Sequence, residues 1–283
     1  MKDKYPSIAE ALNWAREKLH LGESPQVDAK VLLQHVLGCE PVYLLTWPER
    51  CLTELQWQQY QDLLEKREAG QPVAYLIGLR DFWSLSLKVS PATLIPRPDT
   101  EVLVEQSLKK IVNLADTEIV DLGTGTGAIA LAIASECPLA KVYASDLRED
   151  AVQLARENAS SLHLSEVDIR QGSWLEPFSG QTFDLIVSNP PYIDPQDPHL
   201  SQGDVRFEPI SALTSEQNGL ADIKHIIDTA TDYLKAGGWL LLEHGYDQKQ
   251  AVQQLLDKAG YSQIFTEQDY GGMDRVSGGC YLA

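Results

Sequence analysis

The chain has 283 residues, and its 41 acidic against 23 basic side chains give a formal net charge of -18. At roughly one domain per 150 residues, that length predicts two domains with cores able to fold without disulfides. The acidity argues against tight, sequence-independent binding to a phosphate backbone, and no apolar run approaches the roughly 20 residues that span a bilayer. MKDKYPSIAEALNW at the N-terminus also lacks the apolar stretch of a secretory signal, so a soluble, cytoplasmic protein is expected, with no membrane or direct nucleic-acid partner. Cys39, Cys51, Cys137 and Cys280 form no C-x-x-C pair and have no His at ligand spacing, which predicts buried, reduced thiols and no metal site.

Residues 1–78 read as a helical bundle. Ser7-x-x-Glu10 and Thr53-x-x-Gln56 have capping-box spacing, and Ser24 stands as an N-cap before Pro25 at the first helical position. Apolar residues recur at helical intervals in Ile8, Leu12, Ala15 and Leu19, in Val27, Val31, Leu32, His35 and Val36, and in Leu55, Tyr60, Leu63 and Leu64. Residues 79–98 read as a hairpin and a Pro-rich interdomain linker, because FWSLSLKV alternates and PATLIPRP resists regular structure. Asp99 or Thr100 is placed to cap the next helix, which runs through Leu108 and opens a second domain over 99–283.

From there the chain alternates strand and helix. Strands are predicted at 118–122, 141–145, 167–171, 183–188, 238–243, 262–267 and 275–282. Helices fill about 127–135, 149–160, 219–234 and 247–259, the last two closed by Gly237 and Gly260. Such alternation predicts an α/β fold with a mostly parallel, doubly wound sheet whose ligands gather at the carboxyl ends of the strands.

The chemistry-bearing residues fall at those ends. Asp121-Leu122 runs into Gly123-Thr124-Gly125-Thr126-Gly127 and then a helix, a glycine loop whose backbone can approach a ligand while the helix N-terminus offers amide donors. Gly123-x-Gly125-x-x-Ala128 also satisfies the dinucleotide fingerprint, and Asp146 lies at the distance of a ribose-binding acid, so the loop alone leaves NAD and S-adenosylmethionine both open. Asp146 reads equally as a helix N-cap. Trp174 stands either as a ring flanking adenine or as an aromatic packing a loop onto the sheet.

Asn189-Pro190-Pro191-Tyr192 ends the strand FDLIVS. Two prolines cannot donate ladder bonds and restrict the residues before them, so they hold a rigid extended segment beside the cofactor. The Asn189 side-chain oxygen and the Pro190 carbonyl are both acceptors, and two converging acceptors suit an NH2 group. A dehydrogenase has no evident need of that arrangement, whereas methyl transfer to an amide or exocyclic amine does. An amide nitrogen is a poor nucleophile; accepting both of its N–H bonds orients it and strengthens as positive charge develops during attack, while Tyr192 stacks on the planar group. His244, beside Glu243, reads as a packed or surface histidine.

With DLGTGTGAIALA, Asp146 and NPPY in place, the chain resembles class I methyltransferases of the N-methylating type. It resembles most fully the HemK/PrmC family, protein-glutamine N5-methyltransferases that modify the Gly-Gly-Gln glutamine of bacterial peptide chain release factors. The match extends through QPVAYLIGLRDFW, LIPRPDTE, FEPISAL and GGMDRV. The resemblance implies S-adenosylmethionine as cofactor, bound by Gly123, Thr124, Gly125, Thr126, Gly127, Asp146 and Trp174. Asn189 would touch both cofactor and substrate, and Pro190, Pro191 and Tyr192 would complete the glutamine pocket. It also implies a seven-stranded sheet with an antiparallel last strand and N-terminal helices that help grip the release factor; the sequence does not fix the oligomeric state, and a monomer is the expectation.

Other readings share parts of this pattern. A ribosomal-protein glutamine methyltransferase shares NPPY and would draw a basic substrate to an acidic enzyme, but that sister family reads differently at IPRPDTE. An adenine DNA methyltransferase shares the NPPY logic, yet no basic face or added target-recognition domain is evident. An NAD-dependent oxidoreductase stays open through the glycine loop, and a silent binding module for translation factors is the non-enzymatic reading.

Overall fold

The structure, a computed structural model, describes residues 4–111 and 116–282. It divides into two compact units: the chain up to Gly78 together with Gln202–Phe207, and Leu79–Ser201 together with the chain from Glu208.

The first unit holds helices α1 (Ile8–Lys18), α2 (Pro25–Leu37), α3 (Pro41–Thr46), α4 (Glu54–Glu68) and α5 (Val73–Ile77). Both capping boxes form, Ser7 with Glu10 and Thr53 with Gln56, each satisfying amides that a helix start leaves unpaired. Ser24 precedes Pro25 as expected, but its side chain makes no cap bond. The core is Ile8, Ala11, Ala15, Leu32, Leu33, Tyr60 and Leu64, with the Tyr60 hydroxyl donating to the Ala29 carbonyl at 2.8 Å. Three positions of the predicted stripes are exposed, Val27 at 58%, Leu55 at 63% and His35. In α2 the buried face runs through Asp28, Ala29, Leu32 and Leu33, one residue around from Val27. Asp28 on that face takes the Arg67 guanidinium at 2.7 Å, and Arg67 also reaches Asp204 at 2.7 Å, which ties Gln202–Phe207 into this unit.

The second unit opens with the hairpin β1 (Leu79–Phe82) and β2 (Leu85–Lys88), turned at Trp83. Phe82 and Leu87 belong to the unit's core. Then follow α6 (Glu101–Lys110), β3 (Glu118–Leu122), α7 (Ala128–Glu136), β4 (Lys141–Asp146), α8 (Glu149–Ser161), β5 (Asp168–Gln171) and β6 (Phe183–Ser188). After β6 come a short turn α9 (Glu216–Gly219), α10 (Ala221–Ala230), β7 (Leu234–Glu243), α11 (Lys249–Lys258), β8 (Tyr261–Gln268) and β9 (Asp274–Tyr281).

Strands β3 to β9 form one seven-stranded sheet in the order β5-β4-β3-β6-β7-β9-β8. Every pairing is parallel except those of β9, which runs antiparallel to both β7 and β8. Alternate strand residues face opposite layers. Ile119, Leu185 and Leu241 pack with α7, whereas Val120, Ile186, Leu240 and Leu242 pack with α10 and α11. The sheet is thus doubly wound, and the chain reverses its direction of progress between β3 and β6.

Three local expectations are corrected. Gly237 does not close a helix: α10 ends at Ala230 and Gly237 lies inside β7, which begins earlier than predicted. Neither Asp99 nor Thr100 caps α6 with its side chain, because a 3-10 turn over Pro98–Thr100 leads into it. Cys51 is exposed and Cys39 half-buried, so of the four only Cys137 and Cys280 are buried thiols, and among the described residues none forms a disulfide. Among the described residues no helix is long and apolar enough to cross a membrane.

Candidate active site

Strand register assembles the site. Ser145 of β4 pairs with Leu122 of β3, Leu122 with Ser188 of β6, and Ser188 with Leu242 of β7. The next residue on each strand, Asp146, Gly123, Asn189 and Glu243, therefore stands in one row along the carboxyl edge, across the reversal between β3 and β6 where open α/β sheets bind ligands. A cavity opens there.

The glycine loop forms the floor of this cavity. The amides of Gly123 and Thr124 both donate to the Ser145 carbonyl at 2.9 Å, and the Gly125 amide donates to Asp146 Oδ2 at 2.9 Å. Gly123 has φ +70, and a Cβ on it would stand 3.2 Å from the Trp174 ring, so backbone and indole approach as only glycine permits. Trp174 is fixed through its carbonyl, which accepts from Ser145 Oγ at 2.6 Å. Asp146 does not cap α8 directly. It accepts from the Arg148 amide at 3.0 Å and from the Gly125 amide, and burial raises its carboxyl above the usual range. Two backbone bonds leave carboxylate lone pairs for further donors.

Gly123, Thr124, Gly125, Thr126, Asp146, Trp174, Asn189 and Pro191 all line the cavity. Gly127, Pro190 and Tyr192 do not. Gly127 turns the chain into α7 with φ +84, Pro190 is buried, and Tyr192 packs into the core beneath. Asn189 donates through Nδ2 to Thr100 Oγ1 at 3.2 Å, and the Tyr192 hydroxyl donates to Glu243 Oε1 at 3.1 Å. Glu243 is 2% exposed, and its other oxygen has no hydrogen-bond partner among the described residues. Burial pushes its carboxyl up to about 7, against the pull of neighbouring Thr100 and Arg275. Burial and the Glu243 charge raise the Tyr192 phenol, which stays protonated. His244 is fully buried between Gly245 O at 2.8 Å and Ser277 Oγ at 2.7 Å, a packed histidine whose burial lowers its pKa.

Several residues at this edge carry no site assignment from sequence. Thr93, Arg97 and Thr100 line the cavity beside Ser211, Ala212 and Asp222. The Arg97 guanidinium pairs with the Glu208 carboxylate, which is wholly buried and also accepts from the Ile95 amide at 3.3 Å, so LIPRP is fastened to FEPIS. Asp121 lies under the loop at 0% exposure, accepting from Thr124 Oγ1 at 2.6 Å and from the Ala130 amide at 3.3 Å. Its burial pushes the carboxyl to about 7. The quoted motifs LIPRPDTE and FEPISAL contained Arg97, Thr100 and Glu208, but no spacing rule pairs residues so far apart.

Known proteins give the same picture. The family described as the PrmC N-terminal domain matches residues 10–78, and the methyltransferase small domain matches residues 98–204. A release factor glutamine methyltransferase of Vibrio cholerae is 56% identical over 278 residues, covering 97% of each chain. One of Escherichia coli K12 is 52% identical over 272 residues, covering 95% of this chain and 98% of its own. The solved structure of a methyltransferase from Pyrococcus furiosus superposes with a TM-score of 0.53 at 19% identity, covering 79% of this chain and 98% of its own, and shares the fold. The chain belongs to the release factor glutamine methyltransferase family.

Proposed function

We propose that this enzyme transfers a methyl group from S-adenosylmethionine to the side-chain amide nitrogen, N5, of the glutamine in the Gly-Gly-Gln motif of bacterial peptide chain release factors. The observation that carries the reading is the row at the sheet edge: Asn189 emerges beside the glycine loop and Asp146 through strand pairing, so an amide held by Asn189 lies next to a nucleoside held by the loop. The residues present fit that cofactor. Asp146 retains acceptor capacity for ribose hydroxyls, the Trp174 ring against Gly123 offers a flat apolar face for adenine, and the start of α7 offers amides to a carboxylate. When bound, S-adenosylmethionine supplies a methyl carbon made electrophilic by its sulfonium leaving group.

The chain's own residues do the rest. Asn189 Nδ2 is engaged by Thr100, which leaves Oδ1 as the side chain's acceptor; with the Pro190 carbonyl it takes both N–H bonds of the substrate amide. These bonds strengthen as the nitrogen gains positive charge, which lowers the barrier more than it tightens ground-state binding, and after the S–CH3 bond breaks the methylated nitrogen releases one proton to solvent. Pro191 lines the cavity with Pro190 and Tyr192 behind it, and together they complete the glutamine pocket, while the helical unit over 1–78 grips the release factor. Incubation with labelled S-adenosylmethionine and either a release factor or a large-subunit ribosomal protein, followed by mass mapping, tests the reading. Label is expected on the Gly-Gly-Gln glutamine, and Asp146→Ala should weaken cofactor binding about 10- to 100-fold by calorimetry. Label confined to the ribosomal protein, or to a residue other than glutamine, overturns the assignment.

A further inference from the structure

An asparagine amide is nearly symmetric in shape, and a half-turn of the side chain exchanges an acceptor for a donor. Asn189 can hold a substrate NH2 only with its oxygen outward; the reverse orientation sets donors against donors. We propose that Thr100 and Glu243 are positioning residues that fix this orientation, an inference that rests on the glutamine-methylation reading above.

The direction of each bond follows from one buried carboxylate. Thr100 Oγ1 already takes Asn189 Nδ2, and the neighbouring Glu243 carboxylate, only an acceptor when ionised and with its buried Oε2 lacking a hydrogen-bond partner among the described residues, draws the Thr100 hydrogen toward itself and so keeps Oγ1 an acceptor. That acceptor takes Asn189 Nδ2 at 3.2 Å, and Oδ1 is thereby turned to the opposite side. The same carboxylate accepts from the Tyr192 hydroxyl at 3.1 Å, so the tyrosine end of Asn-Pro-Pro-Tyr is anchored to Glu243 and the asparagine end to Thr100. Register makes the arrangement stiff: Ser188 pairs with Leu242, so the anchor and Asn189 leave neighbouring strands side by side.

The charge state of Glu243 controls the polarity of the chain of bonds. Burial and the Asp99 carboxylate favour its protonated form, while Arg275, Thr100 and Tyr192 favour the ionised one. Arg275 is itself held by Asp269 at 3.0 Å. A protonated Glu243 becomes a donor, frees the Thr100 hydrogen to point at Asn189, and favours the amide with its oxygen turned inward. With the carboxyl pushed up to about 7, that reversal falls within the range where the enzyme can be assayed.

The test uses the full chain, a release factor substrate and labelled S-adenosylmethionine, with kcat and KM measured separately from about pH 6 to about pH 9. Thr100→Val and Glu243→Gln should lower kcat about 10- to 100-fold, as misorientation near a reacting group does. The release-factor KM and the calorimetric cofactor Kd should stay within about threefold. Thr100→Ser restores the hydroxyl and should recover most of the lost kcat. Wild-type kcat should rise with pH through neutrality, and the Glu243→Gln profile should be flat over that limb. The proposal is overturned by Thr100→Val with wild-type kcat, by Thr100→Ser no better than the valine variant, by an acidic limb that persists in Glu243→Gln, or by cofactor affinity falling in step with kcat. A wild-type enzyme that leaves the release-factor glutamine unmethylated, or Asn189→Ala with full kcat, would instead sink the functional reading itself.

Discussion

Replacing Gly219 by alanine strikes the Asn-Pro-Pro-Tyr segment from behind. Gly219 ends the short turn α9, in which Gln217 and Asn218 already have positive φ, and its own φ is +79. A Cβ there would overlap the Tyr192 carbonyl oxygen and stand 2.7 Å from its carbon, both backbone atoms that cannot swing aside. Gln248 pins the same place, donating from Nε2 to the Tyr192 carbonyl at 2.9 Å and to the Asn218 carbonyl at 3.1 Å. Left-handed backbone costs an L-residue about 1–2 kcal/mol, and forcing extra volume into a packed site typically costs about 1–3 more, so a loss of about 2–5 kcal/mol is expected. Gly260→Ala provides the control: its φ is +86 but nothing lies within 4 Å of the added carbon, so only the backbone term of about 1–2 kcal/mol applies. Urea denaturation measures both, and methyl-transfer kcat should fall in Gly219→Ala alone, because the displaced carbonyl belongs to the residue that follows the prolines. Equal stability losses in the two variants, with full activity in both, would refute the claim that this turn supports the motif.

Two further outcomes follow from the buried acids. The Asp121 carboxyl rises from 3.8 to about 7, so the folded protein holds a proton that the unfolded chain releases, and stability is lost as pH climbs through that window. Asp121→Asn keeps an acceptor for Thr124 and Ala130 but cannot ionise; its stability relative to wild type should grow between about pH 4 and about pH 7 and then level off, and a difference independent of pH in urea titrations would contradict the assignment. Glu208→Ala leaves the Ile95 amide and the Arg97 guanidinium without their buried acceptor, at a cost of about 1.5–3 kcal/mol. Because LIPRP lines the cavity, cofactor affinity by calorimetry should drop as well, and unchanged affinity with unchanged melting would show that the pair does not shape the site.

What could be read from the sequence was local. Strand and helix alternate with distinct periods, so the doubly wound sheet was legible before any coordinate, and both capping boxes formed at their predicted residues. Local signals misled where one residue type serves two geometries. Gly237 resembles a helix stop yet lies within a strand, and Val27 fits a helical stripe whose buried face is rotated by one position toward Asp28 and Ala29. Apolar spacing gives a period, but its phase is set by which neighbour packs against it.

The site divides along the same line. Sequence alone determined its parts: a glycine loop after one strand, an acid after the next, and an acceptor motif stiffened by two prolines, each defined by covalent neighbours. Only the tertiary structure decided how they meet. Register sets Asp146, Gly123, Asn189 and Glu243 in one row, and long-range contacts then join Asn189 to Thr100, Tyr192 to Glu243 and Arg97 to Glu208 across separations of 89, 51 and 111 residues. Pairing of that kind depends on burying two distant strands together, a free-energy balance summed over the whole core, and no spacing rule within either segment contains it.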